Sequence, residues 1–212
     1  MRPGFHAGAL PTAAGESGAT FDWRVAVSAR GLWVWLGQRS VGISRGPGKG
    51  CPMGDADEDR AKGAALPEGD LVRILFEQHA AVRDLLGEVA AASGSDRKKL
   101  FTQLTAMVRA HETAEEAVVR PVSMQTAGQG VAEARNAEES EANAAVAALS
   151  ELDVDSAEFD NQFAAFTAAV STHAEAEERD EFPTLQSGRS DEQRQQLGRE
   201  FLAQFAAAGG VG

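Results

Sequence analysis

The sequence predicts an all-α protein: an antiparallel up-down four-helix bundle with a short C-terminal fifth helix, preceded by a disordered or spurious N-terminal segment. Three observations predict it. Apolar residues recur at three- and four-residue intervals through four successive segments, the period of a helix with one buried face. The connections between these segments are short and rich in Gly and Ser, which sets consecutive helices side by side and antiparallel. The composition is rich in Ala and Glu and holds no tyrosine among 212 residues, which suits a bundle better than a sheet.

Residues 1–65 read as a disordered or mis-assigned extension. The first 52 hold all three tryptophans (Trp23, Trp33, Trp35), the single cysteine Cys51 and repeated Gly and Pro, with neither a helical nor a strand period. Met53 opens like an ordinary N-terminus, and the biological chain is expected to start there. Residues 66–188 form the bundle. Its first helix is expected over Asp70 to Ala92, ending at Ser93-Gly94-Ser95. The second runs from Asp96 to Met124 with Pro121 near its end, and the third from Val131 to Leu152 beyond Gly128 and Gly130. The fourth starts near Ser156, carries Glu158 and Asp160 where the helix dipole favours acids, and stops before Pro183. In 189–212 a capping helix runs from Ser190 to Ala208, with Ser190 and Gln193 spaced as a capping box and Leu197, Phe201 and Phe205 as its stripe.

Polar residues interrupt three of the apolar stripes. In the first helix the stripe Leu71, Leu75, Val82, Leu86, Val89 is completed at helical spacing by His79. In the second, Phe101, Leu104, Val108, Val118 and Val122 enclose His111 and Glu115. In the fourth, Phe159, Phe163, Phe166 and Val170 lead on the same face to His173 and Glu177. Positions i and i+4 of a helix share a face, so each His-x-x-x-Glu pair can converge on one ion, and two pairs suggest two ions. Such groups left unpaired in an apolar interior would cost several kcal/mol each. A lone histidine on an apolar stripe is commonly a hydrogen-bonded core residue. Here every histidine beyond residue 6 lies on a stripe, and two repeat the same glutamate spacing, which points to metal.

These residues resemble the hemerythrin-like, HHE cation-binding domains, whose pattern is a His, then His-x-x-x-Glu, then a His, then His-x-x-x-Glu on four successive helices. The likeness covers about Leu71 to Leu185, including His173-Ala-Glu-Ala-Glu-Glu and the exit Glu181-Phe182-Pro183. The resemblance implies His79, His111 with Glu115, and His173 with Glu177 as metal ligands. The third helix departs from it. No histidine lies between Val131 and Leu152; Glu139 stands where the family's His would fall by spacing, and its neighbour Glu138 lies nearer the middle of the stripe by helical phase.

The resemblance implies iron as cofactor, two ions joined by an oxo or hydroxo bridge. Three His and three Glu make a shell richer in carboxylate than that of the oxygen carriers; hard oxygens favour ferric iron, and each added negative charge lowers the reduction potential. The implied function is a non-haem di-iron protein reacting with hydrogen peroxide or dioxygen, catalase-like or oxidase-like. Ala114, Ala142 and Ala176 leave room for a diatomic ligand. A sensor or store that binds iron, oxygen or nitric oxide uses the same ligands, and a metal-free structural bundle is the third reading. The lack of tyrosine excludes a phenolate ligand or tyrosyl radical.

Charge and cysteine usage narrow the partners. Six basic against two acidic residues give the first 52 residues +4, so the rest carries −16 of the total −12. A surface that acidic repels nucleic-acid phosphates. A single cysteine excludes an intrachain disulfide framework and fits a cytoplasmic location, and no uncharged apolar run reaches the length of a membrane span.

Overall fold

In a computed structural model, residues 55–210 are described, and they are all-helical apart from short connections. The helices are α1 (Ala56–Ala64), α2 (Leu71–Ala91), α3 (Gly94–Ala114), α4 (Arg120–Thr126), α5 (Gln129–Ser150), α6 (Ala157–Asp180), α7 (Phe182–Gln186) and α8 (Asp191–Ala207). A π-helical turn, Glu115–Val119, joins α3 to α4 without a break in the rod. Four rods therefore make the bundle: α2, α3 through α4, α5 and α6, each packed against two others. The expected helices lie within a few residues of those found. No helix among the described residues is long and apolar enough to cross a membrane.

The caps follow from short polar side chains at the helix starts. Asp70 accepts the amide of Val72 at the start of α2, Ser156 that of Phe159 at the start of α6, and Ser190 with Gln193 forms the expected capping box on α8. The start of α3 is held differently, because Ser93 makes no side-chain cap bond. Gly94, at φ +59°, donates its amide to the Asp155 carboxylate 2.9 Å away, tying the α2–α3 turn to the α5–α6 turn.

Helix α1 corrects the expected disorder of residues 1–65 over its last ten positions. It has no apolar stripe and so gives no periodic signal. Charge and contact hold it instead: acids fill its first turn, Asp55 caps it, and Arg60 and Asp59 pair with Asp84 and Arg83 of α2. Gly63 lets it approach Phe76 and Arg73 closely. The rest of the expected extension, with the start at Met53, lies outside the described residues.

Two apolar clusters fill the bundle. One gathers Leu71, Leu75, Ala114, Val119 and Phe182 with Phe201 of α8. The other gathers Leu86, Leu104, Leu149, Phe159 and Phe166. Each such Leu, Val or Phe side chain, fully buried, contributes about 1.5–3 kcal/mol. In α2 the switch from one cluster to the other falls at His79; α6 contributes only to the second cluster, as far as Val170, and beyond His173 and Glu177 the chain enters the first at Phe182 of α7. The apolar interior is thus divided by a polar layer. Helix α8 packs on α2, α3 and the π turn, where Gly198 is required because a Cβ there would overlap the carbonyl oxygen of Gly69.

Candidate metal centre

Each bundle rod sends side chains into the polar layer. His79 comes from the middle of α2, His111 from the last turn of α3, Glu115 from the first position of the π turn, Glu139 from α5, and His173 and Glu177 from α6. Ligand atoms of His79, His111, Glu115 and Glu177 all lie within 4.8 Å of one another, as do those of Glu115, Glu139, His173 and Glu177. The two tetrads share Glu115 and Glu177. Of the seven residues predicted, the fold brings six together.

Glu138 is the one outside. It is 40% exposed, pairs with Arg135 at 3.0 Å and accepts from His173 Nδ1 at 2.8 Å. The physical reason is helical phase. The buried positions of α5 are Ala132, Arg135, Glu139, Val146 and Leu149, a three-and-four spacing on which Glu139 falls and Glu138 does not.

Each imidazole is anchored from behind. His79 Nδ1 donates to Glu178 (3.1 Å), His111 Nδ1 to Gln78 (2.8 Å) and His173 Nδ1 to Glu138. Glu178 is itself held by Arg83 and Lys62, both at 3.2 Å. With one proton kept on Nδ1 by its anchor, Nε2 is the nitrogen of each ring that faces the carboxylates, and a cation binding there takes the place of any proton on it. The approach distances are 3.4 Å from His79 to Glu177, 3.4 Å from His111 to Glu115 and 3.3 Å from His173 to Glu177. Nε2 of His79 and His173, with one oxygen each of Glu115, Glu139 and Glu177, is buried without a hydrogen-bond partner. Buried polar atoms are rarely left so, and aimed inward together they fit a cation.

Gln78, Glu178 and Arg120 escaped sequence reasoning. Gln78 and Glu178 are chain neighbours of ligands, the usual source of anchoring groups, but no spacing rule separates them from solvated polar residues. Arg120 is buried, donating from Nη2 to Glu177 (2.8 Å) and to Glu139, with Glu115 at 3.5 Å. Its Nη1 donates to Glu181 at 2.9 and 3.0 Å, and Glu181 also accepts from Ser123 at 2.5 Å. In an α-helix position i+5 lies about 140° around the axis from position i, so Arg120 would point away from Glu115. The π turn brings it round. Its wide bond runs from the Arg120 amide to the Glu115 carbonyl, just before Pro121, whose ring disfavours a regular α-helical turn.

Burial and charge set the protonation of the layer. Burial lowers the His79 imidazole, but the Glu177 and Glu178 carboxylates outweigh it and hold the group at about 9. Burial and the neighbouring His79 push His111 down to about 3. Burial also pushes Glu115 well above the usual carboxylate range, whereas His173 and His79 hold Glu177 well below it against its own burial. A raised imidazole stabilises the fold fully below its unfolded value of 6.5 and ceases to do so as pH passes about 9. His173, also raised, acts in the same direction. The chelator-treated protein should therefore melt at lower temperature at pH 9 than at pH 6.5; a flat or rising profile in calorimetry would contradict this.

The comparisons with known proteins bear on the same residues. A family model described as Hemerythrin HHE cation binding domain matches residues 70–185, just over half of the chain. No curated protein matches. Among solved structures, a Hemerythrin HHE cation binding domain-containing protein from Mycobacterium kansasii aligns with a TM-score of 0.60 at 20% identity, over 66% of this chain and 86% of that one. The matched segment spans both tetrads and leaves out α1 and α8. A helical bundle with a buried His/Glu layer is what that segment builds, and the chain belongs to the hemerythrin HHE cation-binding domain family.

Proposed function

We propose that this protein is a non-haem di-iron protein that reacts with hydrogen peroxide or dioxygen, in a catalase-like or oxidase-like reaction. One observation carries the reading: three anchored imidazoles and three buried carboxylates gather in one layer, where Nε2 of His79 and His173 and one oxygen of each carboxylate have no hydrogen-bond partner. His79 and His111 would serve one ion and His173 with Glu139 the other, with Glu115 and Glu177 shared. Bound iron supplies Lewis acidity and a change of oxidation state.

The chain's own residues prepare the ground for that chemistry. Glu178, Gln78 and Glu138 retain the Nδ1 protons and fix the rings, so that Nε2 stays available. Three carboxylates favour the ferric state and lower the potential, which disfavours reversible oxygen carriage. Phe182 stacks on the His79 ring at 5.4 Å and Phe201 meets the His111 ring at 6.1 Å, excluding water from that side. Ala114 and Ala176, the small residues just before Glu115 and Glu177 in sequence, are both buried.

The test is anaerobic reconstitution of the full chain with ferrous iron, a metal count, and then addition of peroxide or dioxygen with optical and gas readouts. Two irons per chain with catalytic gas evolution or oxygen uptake is the expected result. Two irons with only stoichiometric reaction would replace the enzyme with a sensor or iron-binding protein. Fewer than two would remove the di-iron reading.

A further inference from the structure

The two halves of the centre are not equivalent, and the asymmetry is written into the sequence. His111-x-x-x-Glu115 is followed at position ten from the histidine by Pro121, and His173-x-x-x-Glu177 at the same distance by Pro183. The residue before each proline turns back toward the centre. In one case it is Phe182, which lies on the His79 ring; in the other it is Arg120.

Arg120 Nη2 touches every carboxylate of the second tetrad, Glu115, Glu139 and Glu177. A guanidinium keeps its charge at any pH the fold survives, so it acts there as a fixed cation. It also has a second place to rest. Nη1 is already paired with Glu181, which is 1% exposed and held by Ser123, so a guanidinium leaving the tetrad would not be stranded. Without a cation of some kind, three buried carboxylates within reach of one another would repel strongly.

We infer that Arg120 is a built-in competitor for the second metal ion: the His79–His111 half loads first and tightly, and the Glu139–His173 half loads only as the guanidinium withdraws to Glu181. The inference rests on the metal-binding reading of the centre. It gives the protein two affinities where the ligand count alone gives none. It also makes Arg120 the residue that sets how much free metal is needed to complete the pair.

The experiment is anaerobic calorimetric titration of the metal-free full chain with ferrous iron, with a metal count after desalting, on the wild type and on Arg120→Gln and Arg120→Lys. The wild type and Arg120→Lys should bind in two steps, the second at least about tenfold weaker, the scale on which neighbours of ligands alter metal affinity. Arg120→Gln should tighten the second step by a similar factor and lower the melting temperature of the metal-free form. If Arg120→Gln does not fold without metal, Glu181→Gln carries the test: a guanidinium without its resting place stays on the tetrad and the second step weakens further. Two equal steps in the wild type, or a second step unmoved by these substitutions, would overturn the inference while leaving metal binding intact. No binding by the wild type would overturn both.

Discussion

Glu177→Ala should abolish metal binding at the layer and destabilise the metal-free fold by about 3–5 kcal/mol, the cost of breaking a buried ion pair from one side. This carboxylate belongs to both tetrads. Its oxygens lie 3.4 Å from His79, 3.3 Å from His173 and 2.8 Å from Arg120, and it is 1% exposed. Alanine there leaves two imidazoles and a guanidinium without the carboxylate they share, in a layer buried from water. Glu177→Gln, which keeps the volume but not the charge, should lose metal with a smaller effect on stability. Metal analysis and urea unfolding of both variants check this; wild-type metal content in either would contradict it.

Phe159→Ala should cost about 3–5 kcal/mol by a different route, since it opens a cavity in the cluster remote from the centre. The ring is wholly buried, meets Phe101 edge-on at 5.2 Å, stacks on Phe163 at 5.5 Å and carries the Arg97 guanidinium 4.8 Å above its face. A melting temperature lower by on the order of 10 °C follows from the entropy of unfolding a domain this size. Metal binding should survive, because Phe159 touches neither tetrad. Loss of metal without loss of stability would show that the two clusters and the layer between them are not the independent parts described above.

The bundle was legible because burial leaves a period. His79, His111 and His173 stand where Leu or Phe would complete a stripe, and one helical turn carries Glu115 and Glu177 onto the same faces, so the convergence of these five candidate ligands is legible in the sequence. Glu139 was harder. The late apolar residues Val146, Leu149 and Leu152 alone do not separate Glu139 from Glu138; the buried Ala132 and Arg135 do. An arginine is not expected to mark a buried stripe, so Arg135 gives no sequence signal of the face it shares with Glu139. Arg120 was illegible in principle by the 3.6-residue rule, since the π turn shifts its phase relative to Glu115. Helix α1 lacks a stripe altogether and is held by ion pairs, and ion pairs leave no period.

The Nδ1 anchors give the family's ligand pattern its physical sense in this chain. Lys62 of α1, outside the segment that matches the family, supports Glu178 and through it His79. The N-terminal helix thereby reaches the His/Glu layer without sending a side chain into either tetrad.

The central claim is that the His/Glu layer is a cation site and not merely a satisfied polar core. Anomalous diffraction at the iron edge from crystals of the iron-reconstituted full chain tests it most directly. The expected map shows two peaks, one beside Nε2 of His79 and His111 and the other beside Nε2 of His173, with Glu115 and Glu177 lying between. A map without a peak in this layer, or with iron only on surface carboxylates, would contradict the claim.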